Sequence, residues 1–249
     1  MKVIGSSAKT SFFYKKELIN LPNWHLIYKY KCSSTEIQLS EYLHNHNSKN
    51  NLPIAIFSRE QTKAFGQNGR IWLSPPGGIW MSAAYPISSK VFNTEIFSLS
   101  IAFFLCEMLL QESIEVSIKW PNDILYGSKK LIGFLPRLVT RGDKVIYARV
   151  GVGMNINNIT PDEGISLSKI LKRKKLPESY WASKILKVIH KAILYNPKKK
   201  QIIDGANKCL HKKYLPRGYD NSWSVQEIDK FGRLIISKEN CQKTIKLSL

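Results

Sequence analysis

The stretch Gln61–Trp80, QTKAFGQNGRIWLSPPGGIW, holds four glycines and two adjacent prolines in a lysine-rich, glycine-poor chain. Glycines where a backbone must approach a partner closely mark a ligand loop. Its single arginine, Arg70, raises the question of whether the ligand carries phosphate. A second group, KWPND (Lys119–Asp123), sets a lysine beside an amide and a carboxylate that follow Pro121 in a turn-forming context. That grouping suits a charged ligand; the plain alternative is a surface strand lysine followed by ordinary turn residues. KKLIGFL (Lys129–Leu135) and GVGMNIN (Gly151–Asn157) follow downstream. In the first, Gly133 permits close approach of the backbone to a ligand.

Other chemistries lack their residues. There is no GxSxG for Ser-His-Asp hydrolysis and no Walker A loop, and GVGMNIN lacks the third glycine of a dinucleotide fingerprint. Cys32, Cys106, Cys209 and Cys241 form no CxxC pair, so no zinc site is expected. Cys106 sits in an apolar run and reads as a small core residue. His44 and His46 lie in a polar segment, HNHNSKNN, that reads as a solvated loop.

These groups need a scaffold. Trp24–Cys32 is aromatic and β-branched and reads as a strand. Ser33 and Glu36 have capping-box spacing for a helix through Ile37, Leu39 and Leu43. Ile54–Ser58 and GIWMSAAYP read as strands on either side of the glycine loop. Asn93 to about Glu112 reads as a buried helix. VSIKWPNDILYG reads as strand, turn, strand. KKLIGFLPRLVT and KVIYARVGVGMNIN read as strands joined at Arg141-Gly142-Asp143. PDEGISLSKILKRKKLP and ESYWASKILKVIHKAILYN both look helical, the second ending at Pro197. Beyond a further helix from Gln201, short alternating strands around a Lys230–Gly232 turn suggest a small barrel-like module. At roughly 30 to 40 residues it is too small to fold comfortably alone, so it is expected to pack on the main domain.

The 249 residues, 43% of them apolar, suit one large domain, or one domain plus a small appendage. The net charge of +20 invites a nucleic-acid reading. The charge is dispersed, however, with dense runs only at 172–175 and 198–200, and no basic helix-turn-helix signature accompanies it. The widely spaced cysteines fit a reducing cytoplasm. The N-terminus has no continuous apolar region of signal-peptide type. The run IAFFLCEMLL is too short to span a bilayer and contains Glu107, so no membrane role is expected.

The ordered set of SST (Ser33–Thr35), GRIWLSPPGG, KWPND, KKLIGFL and GVGMNIN resembles the biotin protein ligase family, over about Lys31 to Asn157. VQEIDKFGRLII adds a weaker match near the C-terminus. The resemblance implies an α+β (α/β) catalytic domain with a mixed β-sheet, residues 1–200. Residues 201–249 would be a connecting helix and a small C-terminal SH3-like β-barrel. It implies that biotin's carboxylate attacks the α-phosphate of ATP, giving biotinyl-5′-adenylate and pyrophosphate. A lysine of a biotin carboxyl carrier protein then takes the acyl group.

On the matching positions, Lys119 is the catalytic residue, acting on the biotin carboxylate and the α-phosphate. Biotin is expected at Ser34, Thr35, Gln61, Gly66, Gln67 and Lys119. ATP and adenylate are expected at Gly69, Arg70, Trp72, Asn122, Asp123, Lys130, Gly133 and Asn155. Attack on phosphorus brings negative groups together, so a cation must offset the charge and Mg²⁺ is expected with the ATP, its protein ligands unassigned. A ureido ring needs neutral polar groups in an apolar pocket. For Ser34 and Thr35, helix capping is the competing role, and both roles are compatible. Asn122 and Asp123 have turn chemistry as their alternative, and Asn155 has a strand-end hydrogen bond.

The chain departs from the family's GRGRxGR loop, with Phe65 and Gln67 replacing two arginines that help hold the adenylate and biotin. Lys63 is a nearby candidate substitute. Glu36 replaces the usual asparagine, which a capping box would explain, and Arg137 replaces an acidic residue. Only about 30 residues precede Lys31. A winged helix needs more, so no repressor function or specific DNA binding is expected. A cytoplasmic monomer or homodimer is expected. The alternatives are a degenerate biotin- or adenylate-binding homologue with weak ligase activity, a lipoate-type transferase, and a basic nucleic-acid-binding protein.

Overall fold

The computed structural model describes residues 6–15, 21–45, 52–87, 92–196 and 198–246. The assignments for His46 and Pro197 fall outside these residues.

Helix α1 (Ser6–Lys15) precedes β1 (His25–Cys32), α2 (Thr35–Asn45), β2 (Ile54–Gln61), β3 (Ile79–Pro86) and α3 (Thr94–Leu110). Then come β4 (Ser117–Lys119), β5 (Asp123–Tyr126), β6 (Lys129–Arg141), β7 (Lys144–Met154), α4 (Leu167–Ile170) and α5 (Glu178–Tyr195). Helix α6 (Lys199–Cys209) and strands β8 (Ser224–Ile228), β9 (Leu234–Lys238) and β10 (Cys241–Ile245) complete the chain. No helix among the described residues is long and apolar enough to cross a membrane.

Seven strands form one mixed sheet in the order β1-β2-β3-β7-β6-β5-β4. β1 and β2 are parallel, as a crossover through α2 requires, and the remaining pairs are antiparallel. Alternation along β2 divides the two faces: Ala55 and Phe57 enter the main core, while Ile54 and Ile56 join Leu39 of α2 and Ala84 in a second cluster. The main core is built on α3, whose Phe97, Leu105 and Leu109 are fully buried, and on α5. Asn93 caps α3 by accepting from Ile96 N at 2.8 Å. α1 lies on α5, with Phe13 edge-on to Tyr180 and Tyr14 accepting from Trp24 Nε1 at 3.0 Å.

Two local assignments change. The helix expected over PDEGISLSKILKRKKLP shrinks to α4. Its first half is instead tied to sheet ends: Lys130 N donates to Glu163 O, Ile165 N to Lys130 O and Leu167 N to Asn155 O. Those bonds use backbone groups that a helix would need for itself. At the far end Lys172 adopts φ 52°.

The capping box also moves. β1 runs through Cys32, so the residue before α2 is Ser34, whose Oγ accepts from Glu36 N at 3.2 Å. The Glu36 carboxylate turns away from the helix end and pairs with Arg149 of β7 at 3.2 Å.

β8, β9 and β10 form a three-stranded antiparallel sheet. Val225, Ile228, Leu234 and Ile236 belong to the main core, and Trp120 Nε1 donates to Gly232 O at 3.2 Å. The small module therefore packs on the main domain, against α3 and α6. α6 runs across the expected boundary at residue 200.

Candidate active site

One cavity of about 360 Å³ opens on the α2 face of the large sheet. Cross-strand rows build its floor: Ser82, Gly151 and Leu135 lie abreast, as do Gly153 and Gly133. A Cβ on Gly133 or Gly153 would come within 2.8 or 2.6 Å of the Trp72 ring, and one on Gly151 within 3.2 Å of Glu36 Oε1. The bare strands thus let an indole and a carboxylate lie flat on the sheet. The close approach expected at Gly133 is made by Trp72 and by the Lys130 side chain.

The end nearest β1, β2 and β3 is polar, and its one carboxylate, Glu36, is paired with Arg149. Gln61 Oε1 accepts from Thr35 N at 2.7 Å and from Thr35 Oγ1 at 3.1 Å, and Gln61 Nε2 donates to Ser74 Oγ at 3.0 Å. Thr35 Oγ1 also meets Ser82 Oγ at 2.8 Å. These bonds hold each group in one orientation beside Ser34, which caps α2 and borders the cavity as well.

The end nearest β4, β5 and β6 is charged. Asp123 Oδ1 lies 2.6 Å from Lys130 Nζ, and its Oδ2 lies 3.7 Å from Lys119 Nζ. Lys130 Nζ stands 4.6 Å from the centroid of Trp72, and Lys119 Nζ 3.7 Å from that of Tyr214. Two ammonium groups therefore share one carboxylate, and Glu163 also borders this end. Asn122 Nδ2 donates to Phe134 O at 2.9 Å, fixing the KWPND turn to β6. Asn155 Nδ2 donates to Lys130 O at 3.3 Å, the strand-end bond considered above, and Asn155 still borders the cavity.

The glycine loop is a hairpin over the cavity mouth. Trp72 N donates to Ala64 O at 3.0 Å and Gly66 N to Arg70 O at 2.7 Å, while Phe65 and Ile71 form a bridge. At the tip Asn68 and Gly69 take φ 57° and 70°. Every residue proposed from sequence borders the cavity except Gly69, at the hairpin tip, and Lys119, one carboxylate away through Asp123. Lys63 does not border it. No group of three or more His, Cys, Asp or Glu among the described residues is arranged to hold a metal ion.

The sequence profile of the Biotin/lipoate A/B protein ligase family matches residues 30–155. The chain belongs to this family. The bifunctional ligase/repressor BirA of Bacillus subtilis (strain 168) is 32% identical over 163 residues, covering 64% of this chain and 48% of that protein. The human biotin–protein ligase is 25% identical over 154 residues, covering 56% of this chain and 21% of that protein. The chain thus spans about half, or less, of the curated relatives it matches. The Aquifex aeolicus biotin protein ligase in complex with biotin and ATP superposes with a TM-score of 0.71 at 25% identity, over 89% of this chain and 95% of that one.

Two of the residues singled out in the sequence, Phe65 and Arg137, meet. The Arg137 guanidinium stands 5.7 Å from the centroid of Phe65, so a cation on β6 faces an aromatic ring on the loop. Arg137 is also directly opposite Arg149 on β7. Burial lowers the Arg149 pKa below its ordinary value, Glu36 opposes that shift, and Arg137 adds to it.

The Glu36–Arg149 pair, Ser82 and the Gly151/Gly153 alternation escaped the sequence reading. The available signal was an arginine inside the apolar strand YARVGVGM, where a buried charge needs a partner.

Proposed function

We propose that this chain is an ATP-dependent ligase that activates biotin as biotinyl-5′-adenylate and passes the biotinyl group to a lysine of a biotin carboxyl carrier protein. The observation that carries the reading is the two-ended cavity. Neutral hydrogen-bonding groups held rigid by one another suit a ureido ring, and two lysines sharing a carboxylate suit a carboxylate meeting a phosphate. The volume lies within the range of small-ligand pockets, roughly 300–1,000 Å³. Two buried atoms beside it lack hydrogen-bond partners: Glu36 Oε1, an acceptor suited to ring N–H, and Trp72 Nε1, a donor suited to the nucleotide.

In this reading Ser34, Thr35 and Gln61 orient the ring, with Gly66 and Gln67 over it. Trp72, Gly133, Asn122 and Asn155 form the nucleotide wall, with Gly69 and Arg70 closing from the hairpin. Lys119 and Lys130 offset the charge as a biotin carboxylate oxygen attacks the α-phosphorus and pyrophosphate leaves. In the second step the neutral amine of the carrier lysine attacks the acyl carbon and AMP departs. Asp123 is held by two lysines, so Mg²⁺ arriving with ATP would rely mainly on phosphate oxygens and water. We read β8–β10 as part of the family's SH3-like barrel, joined through α6 to a catalytic unit ending near residue 200. The setting is cytoplasmic, as monomer or homodimer.

Phe65 under Arg137 favours one second reading, a homologue that holds biotin or its adenylate and ligates slowly. Incubation with biotin, ATP, Mg²⁺ and an apo carrier domain separates the two. The ligase reading expects biotinylation of the carrier lysine with pyrophosphate release. Tight biotin binding with negligible labelling supports the slow homologue, and no binding and no labelling refutes both.

A further inference from the structure

A second cleft, of about 1220 Å³, lies between α3 and α6, away from the candidate active site. Cys106 of α3 and Cys209 of α6 both border it. The helices meet closely: a Cβ on Gly205 would fall 2.5 Å from the Phe103 ring. One turn further along each helix come Cys106 and Cys209, both on the wall of this cleft. All four cysteines are free; Cys106 is buried and Cys209 half-buried at the cleft wall. We propose that Cys106 and Cys209 are a peroxide-oxidisable thiol pair, with Cys209 the attacking sulfur and Cys106 the resolving one.

The roles follow from access and hydrogen bonding. Cys209 is the thiol a small oxidant reaches. The hydrogen bond from Cys106 lowers its pKa, against opposition from burial and Glu107, and Lys208 assists. The same bond, together with burial, raises Cys106 well above its ordinary value, so it stays protonated until needed.

The Cys209 thiolate attacks one oxygen of hydrogen peroxide, and the O–O bond breaks. The displaced hydroxide takes up the Cys209 proton as water, leaving a sulfenic acid. The Cys106 sulfur then attacks that sulfenic sulfur, the S–O bond breaks, and hydroxide leaves with the Cys106 proton as a second water. In sum, two thiols are oxidised to one disulfide while one peroxide is reduced to two waters.

The bond would staple α3 to α6 just before the chain reaches β4. Leu210 bridges Ile118 in parallel, His211 N donates to Ile118 O at 2.8 Å, and Tyr214 stands over Lys119.

The test treats the intact protein with hydrogen peroxide, alkylates the remaining thiols and maps peptides by mass spectrometry. The expected result is a Cys106–Cys209 linked peptide, a chain lighter by two hydrogen atoms, and full reversal by dithiothreitol. The oxidised protein should also melt at a higher temperature, because the link closes a long loop. In Cys106→Ser, Cys209 should stop at a sulfenic acid that dimedone captures. Oxidation of Cys32 or Cys241 while Cys106 and Cys209 still alkylate overturns the proposal, as does a Cys106→Ser chain whose Cys209 resists dimedone. If that variant does not fold, the wild-type map decides. Neither readout requires ligase activity.

Discussion

Replacing Arg149 with methionine removes the cation from a buried pair and leaves its partner behind. Glu36 and Arg149 are 7% and 9% exposed. Arg149 Nη2 donates to Glu36 Oε2 at 3.2 Å, to Glu36 O at 3.1 Å and to Ser40 Oγ at 3.0 Å. At an effective dielectric constant of about 20, opposite charges that close attract by roughly 5 kcal/mol. The desolvation of both groups cancels much of this, so the intact pair adds little net stability. Removing one member is different, because the remaining carboxylate stays buried without compensation. The expected loss for Arg149→Met is about 3–5 kcal/mol in urea unfolding. Glu36→Gln keeps a hydrogen-bond acceptor for Arg149 and should cost less, about 1–3 kcal/mol. The double variant Glu36→Gln/Arg149→Met should recover much of the single loss, giving a clear coupling energy in a double-mutant cycle. Because the pair anchors the start of α2, Arg149→Met should also weaken biotin binding through Ser34 and Thr35. An Arg149→Met chain within about 0.5 kcal/mol of wild type, the range of ordinary surface substitutions, would refute this account of the pair.

Gly153→Ala sets a methyl group 2.6 Å from the Trp72 indole. Trp72 should be displaced at a cost of about 1–3 kcal/mol, with a matching loss of ATP affinity by titration calorimetry. Phe65→Arg brings a second guanidinium to Arg137, now 5.7 Å from the Phe65 ring centroid. Alone it should weaken adenylate retention, whereas Phe65→Arg/Arg137→Glu should restore it, a surface-scale effect of up to about 1 kcal/mol. His190 Nδ1 lies 2.9 Å from the Tyr85 hydroxyl, and burial lowers its pKa below the ordinary 6.5. The unfolded chain therefore binds this proton first. The stabilisation is present above about pH 6.5 and is lost as pH falls through the lower folded value. His190→Phe should flatten that part of the stability profile, and parallel profiles would contradict the assignment.

Much of the scaffold was legible because its signals are local. The strand pair joined at Arg141–Asp143 and the buried helix beginning at Asn93 each depend on near neighbours, and each forms as read. Glu36 illustrates the opposite case. Its spacing from Ser33 matches a capping box, but its partner comes from β7, 113 residues away in sequence. The segment PDEGISLSKILKRKKLP reads as helical, yet the sheet ends claim amides in its first half. Site residues were legible as ordered motifs, while the division of the cavity into polar and charged ends depends on strand order. β1 lies at one sheet edge and β4 at the other, an arrangement that no local pattern encodes.

The most direct test of the central claim is ATP–pyrophosphate exchange with purified protein, run with biotin, with lipoate and with neither. The account predicts exchange that requires biotin, ignores lipoate and falls on the order of 100-fold or more in Lys119→Ala. Exchange driven by lipoate, or biotin-dependent exchange unchanged in Lys119→Ala, would contradict it.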